Sequence, residues 1–223
     1  TYLFHISPIT TTSYSLFVIG TTSSFGVIKN FKNGWIDYRL AMAIAIPSIV
    51  MIYCTRRYFI PIIPEELFSI GDFSLSASKA ILLLFALLMI ISGISMIRIR
   101  KQEILTTPSY PLLVGIGLLL GLISGIAGIG GGFIIVPILV LLVKLPMKKA
   151  VASSLFIISL KSLIGFTGDL YSIEFNWIFL LIFILISSLG IFIGIYLSNY
   201  IKGVNLKRSF GWMVLTIATC MLC

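Results

Sequence analysis

The sequence predicts an all-α integral membrane protein, a polytopic helical bundle with a broken-helix glycine hairpin and two inverted repeats, the first of them incomplete. Three observations predict this fold: the apolar composition, a series of long apolar runs, and a repeat on either side of a glycine-rich stretch. Apolar residues make up 59% of the 223 residues and charged residues only 10%, whereas a soluble domain is about 45–50% apolar and about 25% charged. A soluble fold of this length cannot hide so much apolar surface, so the surrounding solvent must be lipid.

The basic residues indicate a membrane topology and not a nucleic-acid surface. Sixteen Lys and Arg stand against seven Asp and Glu, which gives a formal net charge of +9. They lie in short loops between apolar runs, where they set the orientation and meet anionic lipid headgroups. We therefore expect the lipid bilayer as a partner and no nucleic acid.

Six apolar runs have the character of membrane spans, which need about 17–25 mostly apolar residues. They lie near residues 12–28, 40–53, 77–97, 150–165, 177–200 and 210–223. The chain begins at Thr1 and its last run is short. We therefore expect a natural start to be missing and the C-terminus to be trimmed.

The charge-free stretch 111–143 differs from these runs, because it is too long for one untilted helix at 1.5 Å per residue. Its centre carries several glycines and a proline, namely Gly128, Gly130, Gly131, Gly132 and Pro137. Each of three consecutive glycines weakens a helix by about 1 kcal/mol relative to Ala. Pro137 suits the first turn of a new helix and favours an extended Val136. We predict two half-helices joined by an unwound segment that is buried in protein or lines a cavity.

The loop charges favour a hairpin that enters and leaves the membrane on one side. If 111–143 crossed once, the Lys and Arg in the loops would divide six to nine between the two sides. If it returns to the side on which it began, they divide twelve to three, with only Arg56, Arg57 and Lys79 outside. The positive-inside rule favours this second arrangement, with the hairpin ends in the cytoplasm.

A repeat with an offset of 139 residues links the two halves, which we assign as a first, N-terminally truncated repeat over 1–105 and a second repeat over 106–223. SLFVI at 15–19 recurs as SLFII at 154–158, and the same offset pairs Ser23 with Ser162 and Gly26 with Gly165. With a same-side hairpin between them, the copies run in opposite directions, as in many secondary transporters. The counterpart of the glycine block would then precede residue 1.

The glycine block GLISGIAGIGGGFIIVPILVLL, a basic turn and AVASSLF resemble the second-half signature of the sulfite exporter TauE/SafE family, and NGWIDYRLA is similar to its first-half loop. The resemblance covers nearly the whole chain. It implies export or uptake of small anions, typically sulfite, sulfonates or related sulfur compounds. Two positions depart from the expected pattern: Ser153-Ser154 stands where Thr-Ser is expected, and Lys161 where an uncharged polar residue is expected.

The glycine block is the first candidate substrate site. Unwinding frees backbone N–H groups, the start of a half-helix carries about half a positive charge, and glycines let a ligand reach the backbone. We therefore assign Gly128, Gly130, Gly131, Gly132 and Pro137 to the site. The alternative, tight helix packing, is our interpretation of Gly117, Gly121 and Gly125.

Five polar residues complete the candidate site: Ser153, Ser154, Ser13, Ser15 and Lys161. The serines open helices, so each either caps the helix or points into the cavity. Lys161 is the only charge well inside a span and should face protein or water. It attracts the anion, snorkels, or pairs with Asp169 about two turns away.

We predict a multi-pass inner-membrane carrier that moves a small anion by alternating access. The alternative is a membrane scaffold or accessory subunit whose glycines serve packing, and an enzyme ranks third. No P-loop motif and no titratable cluster occur in the spans, so we expect no catalytic residue, no metal site and no cofactor. The expected partners are the anionic substrate and the bilayer. The sequence does not decide between a monomer and a homo-oligomer.

Overall fold

The computed structural model describes residues 8–31, 33–55, 58, 66–70, 73–98, 109–127, 132–169 and 177–222. These residues form eight helices and one short β-hairpin. The elements are α1 Pro8–Phe31, α2 Tyr38–Cys54, β1 Glu66–Ile70, β2 Phe73–Ser76, α3 Ala77–Arg98, α4 Tyr110–Ala127, α5 Gly132–Leu141, α6 Met147–Asp169, α7 Trp177–Tyr200 and α8 Gly203–Leu222.

Each predicted span coincides with a helix, and most helices extend beyond the apolar run. α8 begins seven residues before the run that starts near 210, because its first turns are polar (Asn205, Lys207 and Arg208). Apolar runs mark only the part of a helix that suits lipid, whereas the backbone hydrogen bonds continue into the polar ends. At the start of α2, the Asp37 carboxylate accepts a hydrogen bond from the Leu40 N–H at 3.2 Å and caps the helix.

The position of Pro137 differs from the prediction. It is the sixth residue of α5, so Val136 is helical and not extended, and the expectation of Pro137 in a first turn is wrong. A proline there removes one backbone hydrogen bond, the one to the carbonyl of Phe133. Burial of the helix outweighs this loss, because Ile135 and Leu139 are fully enclosed in the core.

A two-stranded hairpin between α2 and α3 adds to the helices that the sequence predicts. β1 and β2 pair antiparallel, with Glu66 opposite Ser76 and Ile70 opposite Phe73. The two runs are separated by Gly71-Asp72, a pair typical of two-residue hairpin turns. The strands are short and follow no long apolar run, so span-based reasoning overlooks them.

Three helix pairs organise the bundle: α1 with α6, α2 with α4, and α3 with α8. The first two pairs determine the direction in which the chain runs before and after the glycine-rich stretch. Ser24 lies opposite Ser159, and Phe17 opposite Phe166, so α1 and α6 run antiparallel. Gly93 of α3 meets Leu215 of α8.

α2 and α4 run parallel, because successive glycines of α4 meet successive turns of α2. A Cβ on Gly117 would lie 2.6 Å from the Ile44 carbonyl oxygen, one on Gly121 2.5 Å from the Ser48 carbonyl oxygen. The Ser48 hydroxyl donates across the pair to the Gly117 carbonyl oxygen at 2.8 Å. These glycines allow the close helix packing that the sequence indicates for them.

α4 and α6 begin at the same end of the bundle. The Asp37 N–H donates to Ser153 Oγ at 3.1 Å, which places the start of α2 beside the second turn of α6. α4 starts at that end as well, since it runs parallel to α2. The chain from α4 through α5 therefore returns to the end where α4 began.

α7 lies at the periphery and presents large apolar side chains outward. Ile178, Leu185, Ile186 and Leu189 are each more than half exposed. By length and composition, two helices of the described part of the chain suffice to cross a membrane, Met147–Thr167 and Trp177–Tyr200. Shorter apolar helices cover Tyr38–Cys54, Ala86–Arg98 and Tyr110–Gly125.

Candidate functional site

Lys161 is a buried lysine in the middle of the bundle. It is the fifteenth residue of α6 and only 2% exposed. Its ammonium donates a hydrogen bond to Ser124 Oγ at 2.7 Å, and Ser124 lies in the last turn of α4. A lysine at this depth requires polar or charged neighbours. Among the described side chains, Ser124 supplies its hydrogen bond.

The hydrogen bond to Ser124 places Lys161 near the carboxyl end of α4. The last carbonyl groups of a helix carry about half a negative charge, which attracts a cation. α4 ends at Ala127, and α5 begins at Gly132 with the opposite, positive end of its dipole. Lys161 therefore lies beside the helix end that leads into the glycine block.

Five candidate residues belong to the glycine block and to the helix that follows it. Gly132 is the first residue of α5, and Pro137 is buried in the middle of that helix. Gly128, Gly130 and Gly131 lie outside the described residues.

The candidate serines lie at a different level from Lys161. Ser153 and Ser154 are both buried, and eight residues of helix separate Ser153 from Lys161, about 12 Å along the axis. Ser153 accepts the Asp37 N–H, so it joins α6 to the start of α2. Ser154 Oγ donates to the Val151 carbonyl oxygen of its own helix at 2.8 Å.

The two serines of α1 differ in exposure. Ser13 is fully buried, whereas Ser15 is exposed. Ser15 is the counterpart of Ser154 by sequence offset, yet the two side chains have different environments. Ser154 is thus enclosed in the bundle, whereas Ser15 faces its surface.

A cavity of about 600 Å³ lies between α1, α6, α7 and α8, apart from Lys161. Its lining is mostly apolar, with Ser23 and Ser154 among its few polar side chains. At its mouth, the Lys148 ammonium donates to the Asn199 carbonyl oxygen at 3.3 Å and lies 5.0 Å from the centre of the Trp35 ring. Of the candidate residues that the structure describes, only Ser154 lines this cavity.

Sequence reasoning missed Ser124, although a signal was present. Ser124 is the one side chain with a hydrogen-bonding group in the stretch 111–143. A lone hydroxyl in a glycine-rich apolar stretch calls for a buried partner. The sequence could not name Lys161 as that partner, because the contact depends on how α4 packs beside α6.

Comparison with known proteins identifies the family. Residues 1–221 match the family described as "Sulfite exporter TauE/SafE". The chain belongs to the TauE/SafE family. The match covers almost the whole sequence and confirms the resemblance seen in the glycine block.

Relatives of this TauE/SafE chain carry transporter names. It is 43% identical over 77 residues to "Probable membrane transporter protein YunE" of Bacillus subtilis, which covers 34% of this chain and 28% of the relative. A "Probable membrane transporter protein" of Methanocaldococcus jannaschii is 28% identical over 153 residues, 68% of this chain and 52% of the relative. The aligned stretches thus span about half or less of these relatives.

A third relative, a "Probable membrane transporter protein" of Xylella fastidiosa, is 36% identical over 92 residues, 39% of this chain and 35% of the relative. No solved structure matches the chain. Family membership, relatives and apolar helices together identify a helical membrane protein of a transporter family.

Proposed function

We propose that this TauE/SafE protein is a carrier for small anions, with its substrate site at the break between α4 and α5. The buried ammonium of Lys161 is the observation that carries the proposal. A lysine charge in the middle of an apolar bundle is costly unless an opposite charge visits or stays near it. A transported anion supplies that charge during each cycle.

The direction of the helices supports a hairpin that enters and leaves the membrane on one side. α4 and α6 begin at the same end of the bundle, beside Asp37 and Ser153. In such a hairpin, the last turn of α4 lies at the depth of Lys161. Unwound backbone is stable inside a membrane where it is buried or lines a cavity.

Accessibility of introduced cysteines tests this topology. We expect Ser109→Cys, before α4, and Pro146→Cys, before α6, to react with a membrane-impermeant thiol reagent from the same side, because both residues are exposed. Thr167→Cys, exposed near the far end of α6, should react only from the other side. The background would be a functional variant with its native cysteines replaced. Reaction of the first two cysteines from opposite sides would contradict the hairpin.

The packing of α1 on α6 supports two inverted repeats. Exchange of the helices by the 139-residue offset converts the contact of Ser24 with Ser159 into a contact of Leu163 with Gly20. Both exist: the two hydroxyls lie 2.6 Å apart, and a Cβ on Gly20 would lie 3.0 Å from Leu163 Cγ. Contacts that exchange in this way are expected of a two-fold axis between the helices.

A second pair of contacts obeys the same exchange. Gly26 packs against Leu155, and its counterpart Gly165 packs against Leu16, the counterpart of Leu155. The inverted orientation follows from the antiparallel direction of the two helices. Rocking of one repeat against the other would then expose the site alternately to each side.

The crossing of α3 and α8 extends this symmetry with another offset. A Cβ on Gly93 would lie 2.8 Å from Leu215 Cγ, and one on Gly211 2.9 Å from Ile97 Cγ1. These two contacts exchange under an offset of 118 residues, shorter than 139 because the first half carries the segment with β1 and β2. The exchange of contacts therefore holds for α3 and α8 as well as for α1 and α6.

The substrate class that we propose is sulfite, a sulfonate or a related sulfur anion. The family description names sulfite, and the Lys161 ammonium at the proposed site suits an oxyanion. We further propose a multi-pass location in the inner cell membrane. The clustering of Lys and Arg on one side of the predicted spans supports this orientation.

A membrane scaffold remains the second candidate function, favoured by the packing of Gly117, Gly121 and Gly125 on α2. Small residues at such spacing are sufficient to assemble helices. Helix packing by these glycines does not explain why Lys161 is buried in the bundle, whereas an anion carrier does. The two functions differ in what a change in the glycine block does to flux and to folding.

Flux through proteoliposomes that contain the full-length protein tests the proposal. We expect uptake of sulfite above that of protein-free vesicles, and loss of this uptake in a folded Gly131→Leu variant, whose side chain would obstruct the unwound backbone. Sulfonate, sulfate and thiosulfate form the comparison panel. Equal uptake in both proteins would move the site away from the glycines, and no uptake of any anion would favour the scaffold.

A further inference from the structure

We propose that Ser124 is a positioning residue of the anion site, which holds the Lys161 ammonium at the last turn of α4 with two of its three N–H groups directed to the substrate. This inference rests on the proposed anion carrier and adds a residue to its site. Ser124 is 6% exposed and Lys161 2% exposed, so both partners are enclosed by the bundle. Their contact at 2.7 Å is short, as hydrogen bonds from a charged donor are.

The hydrogen-bonding capacity of the ammonium is only partly used. An ammonium has three N–H donors and no acceptor. Among the described residues, one donor is used, by Ser124 Oγ. A buried charge with unused donors is an incomplete site. An oxyanion, which offers several acceptor oxygens and a negative charge, completes it.

The hydroxyl of Ser124 fixes the position of the ammonium at the end of the flexible Lys161 side chain. Lysine has four rotatable bonds and about 2 kcal/mol of rotamer entropy, so its ammonium samples many positions unless it is held. Ser124 belongs to the helix that ends at Ala127. A hydrogen bond to that helix therefore places the charge close to the glycine block and not elsewhere along α6.

A second buried hydroxyl close to Lys161, that of Ser162, does not link α6 to another helix among the described residues. Ser162, next to Lys161 on α6, is fully buried, and its Oγ has no hydrogen-bond partner among the described residues. Ser159, one turn earlier, is already bonded to Ser24 of α1. Ser124 is thus the residue that ties the charged position of α6 to α4.

The test compares Ser124→Ala and Ser124→Thr in proteoliposomes, with Ser188→Ala as the matched control. Ser188 donates to the Ile184 carbonyl oxygen of its own helix, α7, and its loss should change nothing. We expect Ser124→Ala to raise the KM for sulfite about tenfold with a small effect on the maximal rate. Ser124→Thr, which keeps the hydroxyl, should restore a KM close to that of the unmodified protein.

A double variant separates positioning from structure. Ser124→Ala should have no further effect on KM in a Lys161→Met background, because there is no ammonium left to hold. The apparent Tm of each variant serves as the check on folding. Additive effects of the two substitutions, or an unchanged KM in Ser124→Ala, would overturn the positioning role while anion uptake continues. Absence of uptake in the unmodified protein would overturn the carrier proposal, and the positioning role with it.

Discussion

Gly121→Leu is expected to prevent the protein from folding, whereas Gly115→Leu on the same helix is expected to be tolerated. A Cβ on Gly121 would lie 2.5 Å from the Ser48 carbonyl oxygen and 2.7 Å from Met51 Cβ. Both contacts involve atoms whose positions the backbone fixes, so α2 and α4 would have to separate. A Cβ on Gly115 meets nothing within 4 Å.

Separation of α2 from α4 has a cost beyond the clash. The hydrogen bond from Ser48 to the Gly117 carbonyl oxygen would break, and the packing of Gly125 against Thr55 would loosen. Overpacking of a tight site typically costs about 1–3 kcal/mol, and more where backbone must move. A loss of this size is a large part of the stability of most domains, about 5–15 kcal/mol.

The measurement is the yield of monodisperse protein in mild detergent and its apparent Tm. We expect Gly121→Leu to give aggregated or unstable protein and Gly115→Leu to behave as the unmodified protein. Equal stability of the two variants would mean that α4 does not pack on α2 through this glycine face.

Lys161→Met is expected to reduce anion uptake by at least about tenfold without loss of folding. Met has a similar length and no charge, and replacement of a buried charged group by an apolar one is often neutral or stabilising. Ser124 would retain a partner in its own helix, because a serine hydroxyl can bond the carbonyl four residues earlier. The substrate, in contrast, would lose its counter-charge, and removal of one partner of a buried charge pair typically costs about 2–5 kcal/mol.

Lys149→Met is the matched control, since it removes the same charge from an exposed position on the same helix. Initial rates of sulfite uptake over a range of concentrations, with apparent Tm as the folding check, measure the effect. A third variant, Lys161→Arg, keeps the positive charge and should retain part of the uptake. If Lys161→Met and Lys149→Met carried sulfite equally well, the ammonium would have no part in transport.

The helices of the bundle were predictable because lipid imposes a simple rule on the sequence. Apolar runs mark α1, α2, α3, α6 and α7 to within a few residues. The ends of helices were less predictable, because polar turns such as the one with Asn205, Lys207 and Arg208 extend α8 ahead of its apolar run. Pro137 misled the prediction, since its preference for a first turn is local and the burial of α5 is a property of the whole bundle.

The site was predictable only in part. Lys161 stood out, because a single charge inside an apolar run is costly wherever the helix lies. Its hydrogen bond to Ser124 joins two residues that lie 37 positions apart on different helices, which no periodicity in the sequence reveals. Likewise, equal spacing grouped Ser15 with Ser154, yet one is exposed and the other buried, because the two helices have different neighbours.

The central claim is that the protein binds an anion at alternating faces of the membrane, and exchange of labelled sulfite tests it most directly. Proteoliposomes that contain the full-length protein are loaded with unlabelled sulfite or with buffer, and the entry of labelled sulfite is followed in both. A carrier returns its site faster when loaded, so we predict faster entry into the sulfite-loaded vesicles, and loss of this difference in Lys161→Met. Entry at the rate of protein-free vesicles, whatever the internal contents, would contradict the account.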